Sequence, residues 1–164
     1  MTTLTAIAPA FVAMAHRIVW ATAATVDPHG RPWTRVLHPL WVWDGEQLTG
    51  WIATDPTGLK RRHLDAHPHV ALTYWEPGQD TASAYCRAGF VDDAREWLWR
   101  AFVEAPAPVG YDPSIIPAWE DASSPSFGAL RLHPWRLQVQ PAAVLLQGRG
   151  DLAQQWREPV DARA

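Results

Sequence analysis

Turn-forming residues divide the first half of this sequence into short apolar segments, and this feature constrains the fold more than any other. The turns are Asp-Pro-His-Gly at 27–30, Asp-Gly at 44–45, Asp-Pro-Thr-Gly at 55–58 and Glu-Pro-Gly-Gln-Asp at 76–80. Gly, Pro and Asp favour tight turns because they supply a positive φ, a fixed φ or a local side-chain hydrogen bond. Short apolar runs separated by such turns predict antiparallel strands in a meander or barrel.

The segments between these turns are rich in β-branched and aromatic residues, which favour strands. The segment 31–43 mixes two alternations of apolar residues, which predicts a bulge near His38-Pro39. Residues 142–146 can extend the last strand beyond Pro141. The predicted strands are 19–26, 31–43, 48–54, 70–75, 82–90 and 127–140.

Three helices flank these strands in the prediction. Thr5 is the candidate N-cap of a helix that runs to Arg17. A short basic helix covers 59–66, and Asp92 or Asp93 caps an amphipathic helix through Val103.

Residues 105–125 are Pro-rich and irregular, and such a length inside a domain indicates either disorder or a functional covering loop. No repeat and no composition shift marks a domain boundary. We therefore predict one domain over residues 1–164, mostly β with flanking helices, as a six- to seven-stranded antiparallel barrel.

Composition and charge exclude several classes of function. The net charge is −3, which gives no basic footprint for nucleic acid. The apolar stretch 6–15 is too short to span a bilayer, and the first residues lack the basic region of a secretion signal. Cys86 is the single cysteine, so multi-cysteine metal cages are excluded, and we expect it to be a small buried apolar residue. These features predict a cytoplasmic protein without a membrane or nucleic-acid partner.

The segment 54–62 carries the most chemical information. It joins a strand end to a hydroxyl-bearing loop and then to the start of a basic helix, where unpaired N–H groups favour an anion. Thr54 and Thr57 can donate to phosphate oxygens, and Lys60 and Arg61 can neutralise their charge. The alternative is an ordinary helix with a solvated cationic face. Lys60 is the single lysine of the chain.

The order of motifs around this segment resembles the pyridoxamine-phosphate-oxidase-like superfamily of FMN-binding split barrels, which includes deazaflavin-dependent branches. Arg-Val-Leu at 35–37 matches its strand motif, and Thr54 and Lys60 precede Pro68 by the spacing of its phosphate ligands. The later runs AYCRAGFVDD, REWLWRAF and FGALRLHPWRLQV resemble its next strand, helix and closing strand. The resemblance covers roughly residues 15–146.

The resemblance implies that FMN, or alternatively the deazaflavin coenzyme F420, binds between the two subunits of a homodimer. Arg35 and Lys60 would contact the phosphate with Thr54, Arg61 would lie beside it, and the backbone near His38 would lie against the ring. No side chain is assigned a catalytic role, because hydride chemistry belongs to the cofactor. The implied cofactor-binding residues are Arg35, Val36, Leu37, His38, Thr54, Thr57, Lys60 and Arg61.

Three functions stay open at this stage. The first is an oxidoreductase that moves a hydride to or from a small organic substrate. The others are a non-catalytic flavin or deazaflavin carrier or sensor, and a dimeric barrel without cofactor. Oxidation of pyridoxamine phosphate is not expected, because Gln140 and Leu146 stand where the resemblance would place the family's Trp and substrate-phosphate Arg.

Histidines and aromatic residues give further expectations. His63, His67 and His69 lack acidic or cysteine ligands at a suitable spacing, so we interpret them as surface or capping residues and expect no metal. Eleven tryptophans exceed what one small core buries, which favours a dimer interface. Tyr111, Trp119 and Trp135 are candidates to wall a flat ligand.

Overall fold

A computed structural model describes residues 2–159. Within that range the chain forms an eight-stranded antiparallel sheet with four α-helices. The helices are α1 (Leu4–Ile18), α2 (Leu59–Ala66), α3 (Arg95–Glu104) and α4 (Ala142–Leu146). The strands are β1 (Ala21–Val26), β2 (Pro32–Leu37), β3 (Pro39–Trp43), β4 (Leu48–Thr54), β5 (His69–Trp75), β6 (Thr81–Phe90), β7 (Gly128–Gln140) and β8 (Gln154–Arg157).

The sheet rolls into a barrel whose two end strands, β2 and β3, are linked by His38. Its strand order is β2-β1-β5-β6-β7-β4-β3, with β8 paired to β7, so its two end strands are consecutive in the chain. The segment 31–43, expected to be one bulged strand, is therefore two strands with different neighbours. β2 pairs with β1 and β3 pairs with β4. Pro39 supplies no N–H for a continuous ladder, and local alternation cannot show that a strand changes partner.

Two helix-capping predictions are wrong. Thr3, rather than Thr5, is the N-cap of α1, and its Oγ1 accepts from the backbone N–H of Ala6 at 3.3 Å. Both residues can cap a helix, and the choice depends on which one keeps an extended backbone. Asp92 and Asp93 lie in a 3-10 turn before α3 and make no capping hydrogen bond to it.

The C-terminal region also differs from the prediction. Residues 142–146 form α4 instead of extending β7. Pro141 ends the ladder because it has no N–H, and the Ala and Leu residues that follow favour a helix. β8 escaped prediction because it is only four residues long and half of them are exposed.

Two apolar clusters hold the barrel. In the first, α1 packs on β3 and β7, with the Phe11 ring 4.9 Å from the Trp41 ring and Trp41 Nε1 donating to Tyr74 Oη at 2.8 Å. Cys86 is fully buried in this cluster, as expected. No helix among residues 2–159 is long and apolar enough to cross a bilayer.

The second cluster lies under α3 and the loop 105–127. Phe102, Val109, Trp119 and Phe127 are buried together there, and Trp119 Nε1 donates to the Ser126 carbonyl at 2.9 Å. Such packing shows that the Pro-rich segment is ordered and covers this cluster, while a functional role for it stays a prediction. This loop supplies one wall of the cleft described below.

Asp27 fixes the turn between β1 and β2. Its Oδ1 accepts from the backbone N–H groups of His29 and Arg31, each at 2.9 Å. Its Oδ2 accepts from Arg31 Nε at 2.7 Å and from Trp33 Nε1 at 3.3 Å. Burial acts to raise the pKa of Asp27, but these hydrogen bonds together lower it well below its ordinary value.

We expect Asp27→Asn to lower the free energy of unfolding at neutral pH, because a neutral amide cannot replace a carboxylate that accepts four hydrogen bonds. A lowered folded-state pKa stabilises the protein above the unfolded pKa of about 4, and this stabilisation is lost as the pH falls below that value. Urea unfolding of both proteins between about pH 7 and pH 3 should show the gap closing toward low pH. An unchanged gap would show that the charge of Asp27 is not stabilising.

Candidate functional site

A cleft of about 590 Å³ opens beside the end of β2. Its walls come from the junction of α1 and β1, the end of β2, one residue of β4 and the loop 105–127. The lining residues are Ile18, Val19, Trp20, Val36, Leu37, His38, Ala53, Pro108, Tyr111, Ile115, Ile116 and Trp119.

The barrel closure explains why β2 and β4 meet at this cleft. Pro39 pairs with Ile52 in the β3–β4 ladder, so the antiparallel direction brings His38 beside Ala53. Thr54 and its following loop come next along β4. The apolar cleft therefore adjoins the segment that the sequence singles out for phosphate.

Two cations, Arg35 of β2 and Lys60 of α2, lie near each other in this region. Burial lowers the pKa of Lys60, the charge of Arg35 lowers it further, and Asp55 opposes both effects. Burial also lowers the pKa of Arg35. Two half-buried cations with one nearby carboxylate make a site at which an added anion is stabilised.

The loop after Thr54 is tightly built. Thr54 is buried, and Asp55 Oδ1 accepts from both the backbone N–H and the hydroxyl of Thr57 at 2.7 Å. Those Thr57 hydrogen bonds lower the pKa of Asp55, with the charge of Lys60 as a smaller cause. Gly58 is the N-cap of α2 and carries no capping side chain, which leaves the first N–H groups of the helix for another acceptor.

Gly128 lets β7 pass close to this loop. A Cβ at that position would lie 2.9 Å from the Thr54 carbonyl oxygen and 2.8 Å from Cβ of Pro56. Since Thr54 also pairs with Gly128 in the sheet, the loop is held against the barrel without room for a side chain.

The structure brings only some of the expected phosphate ligands together. Arg35 and Lys60 share one region, and Thr54 lies at the start of the loop. The hydroxyl of Thr57 instead donates to Asp55. Arg61 pairs with Asp65 at 3.0 Å, and its guanidinium carbon lies 5.6 Å from the centre of the Phe90 ring.

Two buried residues, Thr25 and His63, lie behind Arg35, and neither was assigned to the site from the sequence. Arg35 Nη1 donates to Thr25 Oγ1 at 2.6 Å, and Thr25 Oγ1 lies 2.9 Å from His63 Nδ1. The interpretation of His63 as a surface or capping residue is wrong, because α2 packs it against β1. The β1–β2 hairpin could have indicated the contact between Arg35 and Thr25. Ala23 pairs with Arg35, so Thr25 is the diagonal neighbour of Arg35 on the same face of the sheet.

His67 and His69, the other two histidines considered as metal ligands, are exposed, and His67 is the C-cap of α2. Within residues 2–159 the structure has no cluster of His, Cys, Asp and Glu side chains that could hold a metal ion. The absence of a metal site nevertheless stays a prediction for the whole chain.

The walls of the cleft are aromatic and uncharged. The His38 ring lies 5.1 Å from the Trp20 ring and 5.0 Å from the Tyr111 ring. Burial lowers the pKa of His38, although a hydrogen bond to the backbone of Val109 acts in the opposite direction. Burial also raises the pKa of Tyr111 to about 12. Both side chains are therefore neutral near pH 7, which suits a flat uncharged ring.

Tyr111 and Trp119 line the cleft, whereas Trp135 does not. Trp135 lies on β7 with its ring 5.7 Å from the Tyr85 ring and 5.9 Å from the guanidinium carbon of Arg157. Trp20 and Ile115 are further lining residues that sequence reasoning missed. Their position depends on a helix–strand junction and an irregular loop, neither of which has a period that a pattern can reveal.

The described part of the chain has an antiparallel sheet of eight strands with flanking helices, and the two end strands of the sheet, β2 and β3, are joined through one residue, His38. This architecture defines the split β-barrel class. A family model described as pyridoxamine 5'-phosphate oxidase matches residues 7–138, which is most of the sequence. The chain belongs to this family.

Solved structures with the same fold carry different functions. A pyridoxamine 5'-phosphate oxidase-related, FMN binding protein from Nostoc punctiforme PCC 73102 is 17% identical, with a TM-score of 0.68 over 99% of this chain and 96% of that one. An F420 reductase is 16% identical, with a TM-score of 0.54 over 77% and 94%. A heme binding protein from Mycobacterium smegmatis is 13% identical, with a TM-score of 0.61 over 96% and 59%.

At these identities the similarity establishes the fold alone. No curated protein matches the sequence significantly. The cofactor and the reaction must therefore be argued from the site itself.

Proposed function

We propose that this protein is an oxidoreductase that binds a phosphorylated flavin-type cofactor, FMN or alternatively coenzyme F420, at the cleft. Arg35, Lys60 and Thr54 hold the phosphate end, and Val36 and Leu37 of β2, with His38 directly after them, lie along the ring. Thr57 and Arg61 contact the phosphate only if their hydrogen bonds to Asp55 and Asp65 break when the ligand binds. When bound, the cofactor supplies hydride transfer to or from an organic substrate.

The observation that carries this proposal is the junction of a cation pair with an apolar cleft. The end of β2 belongs to both, because Arg35 lies beside Lys60 while the next three residues line the cleft. FMN and F420 share this division into a phosphate-bearing ribityl chain and a flat ring. A ligand with one anionic end and one flat apolar end satisfies both regions at once.

The walls of the cleft also limit the substrate. Among its described lining residues there is no Asp, Glu, Lys or Arg, and His38 and Tyr111 are neutral near pH 7. A charged substrate would lose hydration on entry without gaining an opposite charge. We therefore assign the protein an uncharged, largely planar organic substrate.

It follows that pyridoxamine and pyridoxine phosphates should not be oxidised at a useful rate. The register that placed Leu146 at the substrate-phosphate position assumed a continuous strand, but the chain forms α4 there. The expectation now depends on the uncharged cleft walls, which offer no partner to a substrate phosphate. Turnover on the order of 1 per second with either compound would contradict it.

A pre-reduced cofactor tests the catalytic part of the proposal. The protein is loaded with FMN or F420, reduced without oxygen, and mixed with uncharged hydride acceptors such as quinones and conjugated enones. We expect at least one acceptor to reoxidise the bound cofactor faster than it reoxidises the free cofactor. Binding without acceleration for any acceptor would instead establish a carrier or sensor.

The same proposal includes a homodimer whose interface completes the site. Apolar side chains around the cleft are unusually exposed: Trp20 is 60% exposed, Val36 61% and Ile115 69%. Among the described residues β2 pairs with β1 alone, and four of its six residues are exposed. A second subunit would remove this apolar surface, and the open side of a bound ring, from water.

We expect a homodimer at micromolar concentration, with a total interface above about 2,000 Å². Because a shared site binds the cofactor only in the dimer, added FMN or F420 should strengthen association by mass action. Sedimentation with and without each cofactor measures this. A stable monomer that binds one cofactor per chain, with unchanged affinity at all protein concentrations, would contradict the shared site.

A further inference from the structure

Behind the cation pair, a chain of hydrogen bonds runs from the surface into the protein. It begins at Arg35 on β2, passes through the hydroxyl of Thr25 on β1 and ends at His63 on α2. Thr25 is 3% exposed and His63 is 2% exposed, so water does not compete for the hydrogen bonds between these side chains. Three elements are thus joined by two short contacts of 2.6 Å and 2.9 Å.

The bond from Arg35 to Thr25 has a fixed direction. A guanidinium only donates, so the Thr25 oxygen accepts from Arg35 and keeps its own hydrogen for another acceptor. Burial lowers the pKa of His63, the charges of Arg35 and Arg62 lower it further, and Asp27 opposes them. In neutral His63 the imidazole tautomer decides whether Nδ1 accepts from the Thr25 hydroxyl or donates to its oxygen, and either arrangement holds Thr25 in place.

The arrangement leaves the charge of Arg35 available. Thr25 is a neutral acceptor, so it orients the guanidinium without neutralising it, as a carboxylate would. The fork of an arginine has five N–H donors, and the bond to Thr25 uses one of them. A long side chain fixed in this way loses less conformational entropy when it binds an anion.

We propose that Thr25 and His63 are positioning residues that hold Arg35 for the phosphate of the ligand. Through this relay they set the preference for a phosphorylated flavin over the same flavin without its phosphate. The inference depends on the proposed function, which places the phosphate at Arg35 and Lys60.

A purely structural role has a different signature. His63 also packs against Trp33, with ring centres 5.8 Å apart, so its loss loosens α2 as well as the relay. A loosened fold would weaken binding of every ligand, with or without a phosphate. The relay instead predicts a loss confined to phosphorylated ligands, so the ratio of two dissociation constants separates the roles.

The test measures dissociation constants within two pairs of ligands: FMN with riboflavin, which lacks its phosphate, and coenzyme F420 with the same deazaflavin lacking the phosphate-bearing tail. Thr25→Val and His63→Leu should each weaken the phosphorylated ligand that the wild type prefers by about fivefold to tenfold, the effect of one hydrogen bond. Binding of its phosphate-free counterpart should change by less than about twofold. Thr25→Ser and His63→Asn keep a hydroxyl and an acceptor and should restore the preference. Thr73→Val, the same substitution at an exposed position of the neighbouring strand β5, is the control.

The double variant tests the coupling directly. Thr25→Val removes both contacts of the relay, whereas His63→Leu removes only the contact that holds Thr25, so the double variant should lose no more phosphate preference than Thr25→Val alone. Losses that multiply, or equal losses for the phosphorylated ligand and its phosphate-free counterpart, would overturn the relay. A wild type that shows no preference for any phosphorylated ligand would overturn the proposed function, and the relay with it.

Discussion

Replacing Lys60 by alanine should weaken binding of the phosphorylated cofactor by at least about 1.5 kcal/mol, roughly tenfold in Kd. The half-buried ammonium group lies near the charge of Arg35, and its pKa is lowered by burial and by that charge. An anionic phosphate between them would form charge-assisted hydrogen bonds and reduce the repulsion. Without Lys60 the anion keeps one cation where it had two. Fluorescence titration of wild type and variant with FMN and F420 measures the change.

Arg62→Ala is the control for this prediction. It removes the same unit of charge from the same helix, but Arg62 is exposed and stands two positions further along α2. Its effect should therefore be clearly smaller, and screened by salt. If Lys60→Ala leaves Kd unchanged, the phosphate does not bind at this cation pair.

A larger structural effect is expected at Gly110, where the loop 105–127 turns back against α3. A Cβ at this position would lie 1.9 Å from the Ala105 carbonyl oxygen and 3.2 Å from that of Phe102. Both contacts are to backbone, so the loop must move to admit even one methyl group. Gly110→Ala should lower the free energy of unfolding by roughly 1–3 kcal/mol, the range for overpacked sites.

The same variant should also weaken cofactor binding, because Gly110 lies between Val109, which packs under the loop, and Tyr111, which lines the cleft. Urea unfolding and cofactor titration measure the two effects separately. Gly89→Ala is the control, since a Cβ there has open space around it and the residue lies in β6. A Gly110→Ala protein with wild-type stability and affinity would show that the loop does not depend on this close approach.

Strands and the short helix were predictable because their limits are set by local turn chemistry. β4 and α2 begin and end at the residues expected from the sequence, between Asp-Gly, Asp-Pro-Thr-Gly and His-Pro signals. The break at His38 was not predictable in the same way. Both halves of 31–43 have the composition of a strand, and only the closure of the barrel gives them different neighbours.

The site was predictable to the extent that its residues follow a motif in the chain. Lys60 was found by its place in a basic helix and its spacing to Pro68, and Arg35 by the resemblance of Arg-Val-Leu to a strand motif; the structure brings the two near each other. Thr25 and His63 carry no motif, and their burial depends on how α2 packs against the β1–β2 hairpin. The pairing of Arg61 with Asp65, by contrast, is an i,i+4 contact within α2, which the helix period alone indicates.

One equilibrium titration tests the central claim most directly. Apo protein is titrated with FMN, coenzyme F420 and their phosphate-free counterparts at several salt concentrations, and ligand fluorescence reports binding. We predict that FMN binds at least about tenfold more tightly than riboflavin, or F420 than the same deazaflavin without its phosphate-bearing tail, and that this advantage falls as salt rises. Equal affinity within both pairs of ligands, or binding of none of them, would contradict this prediction.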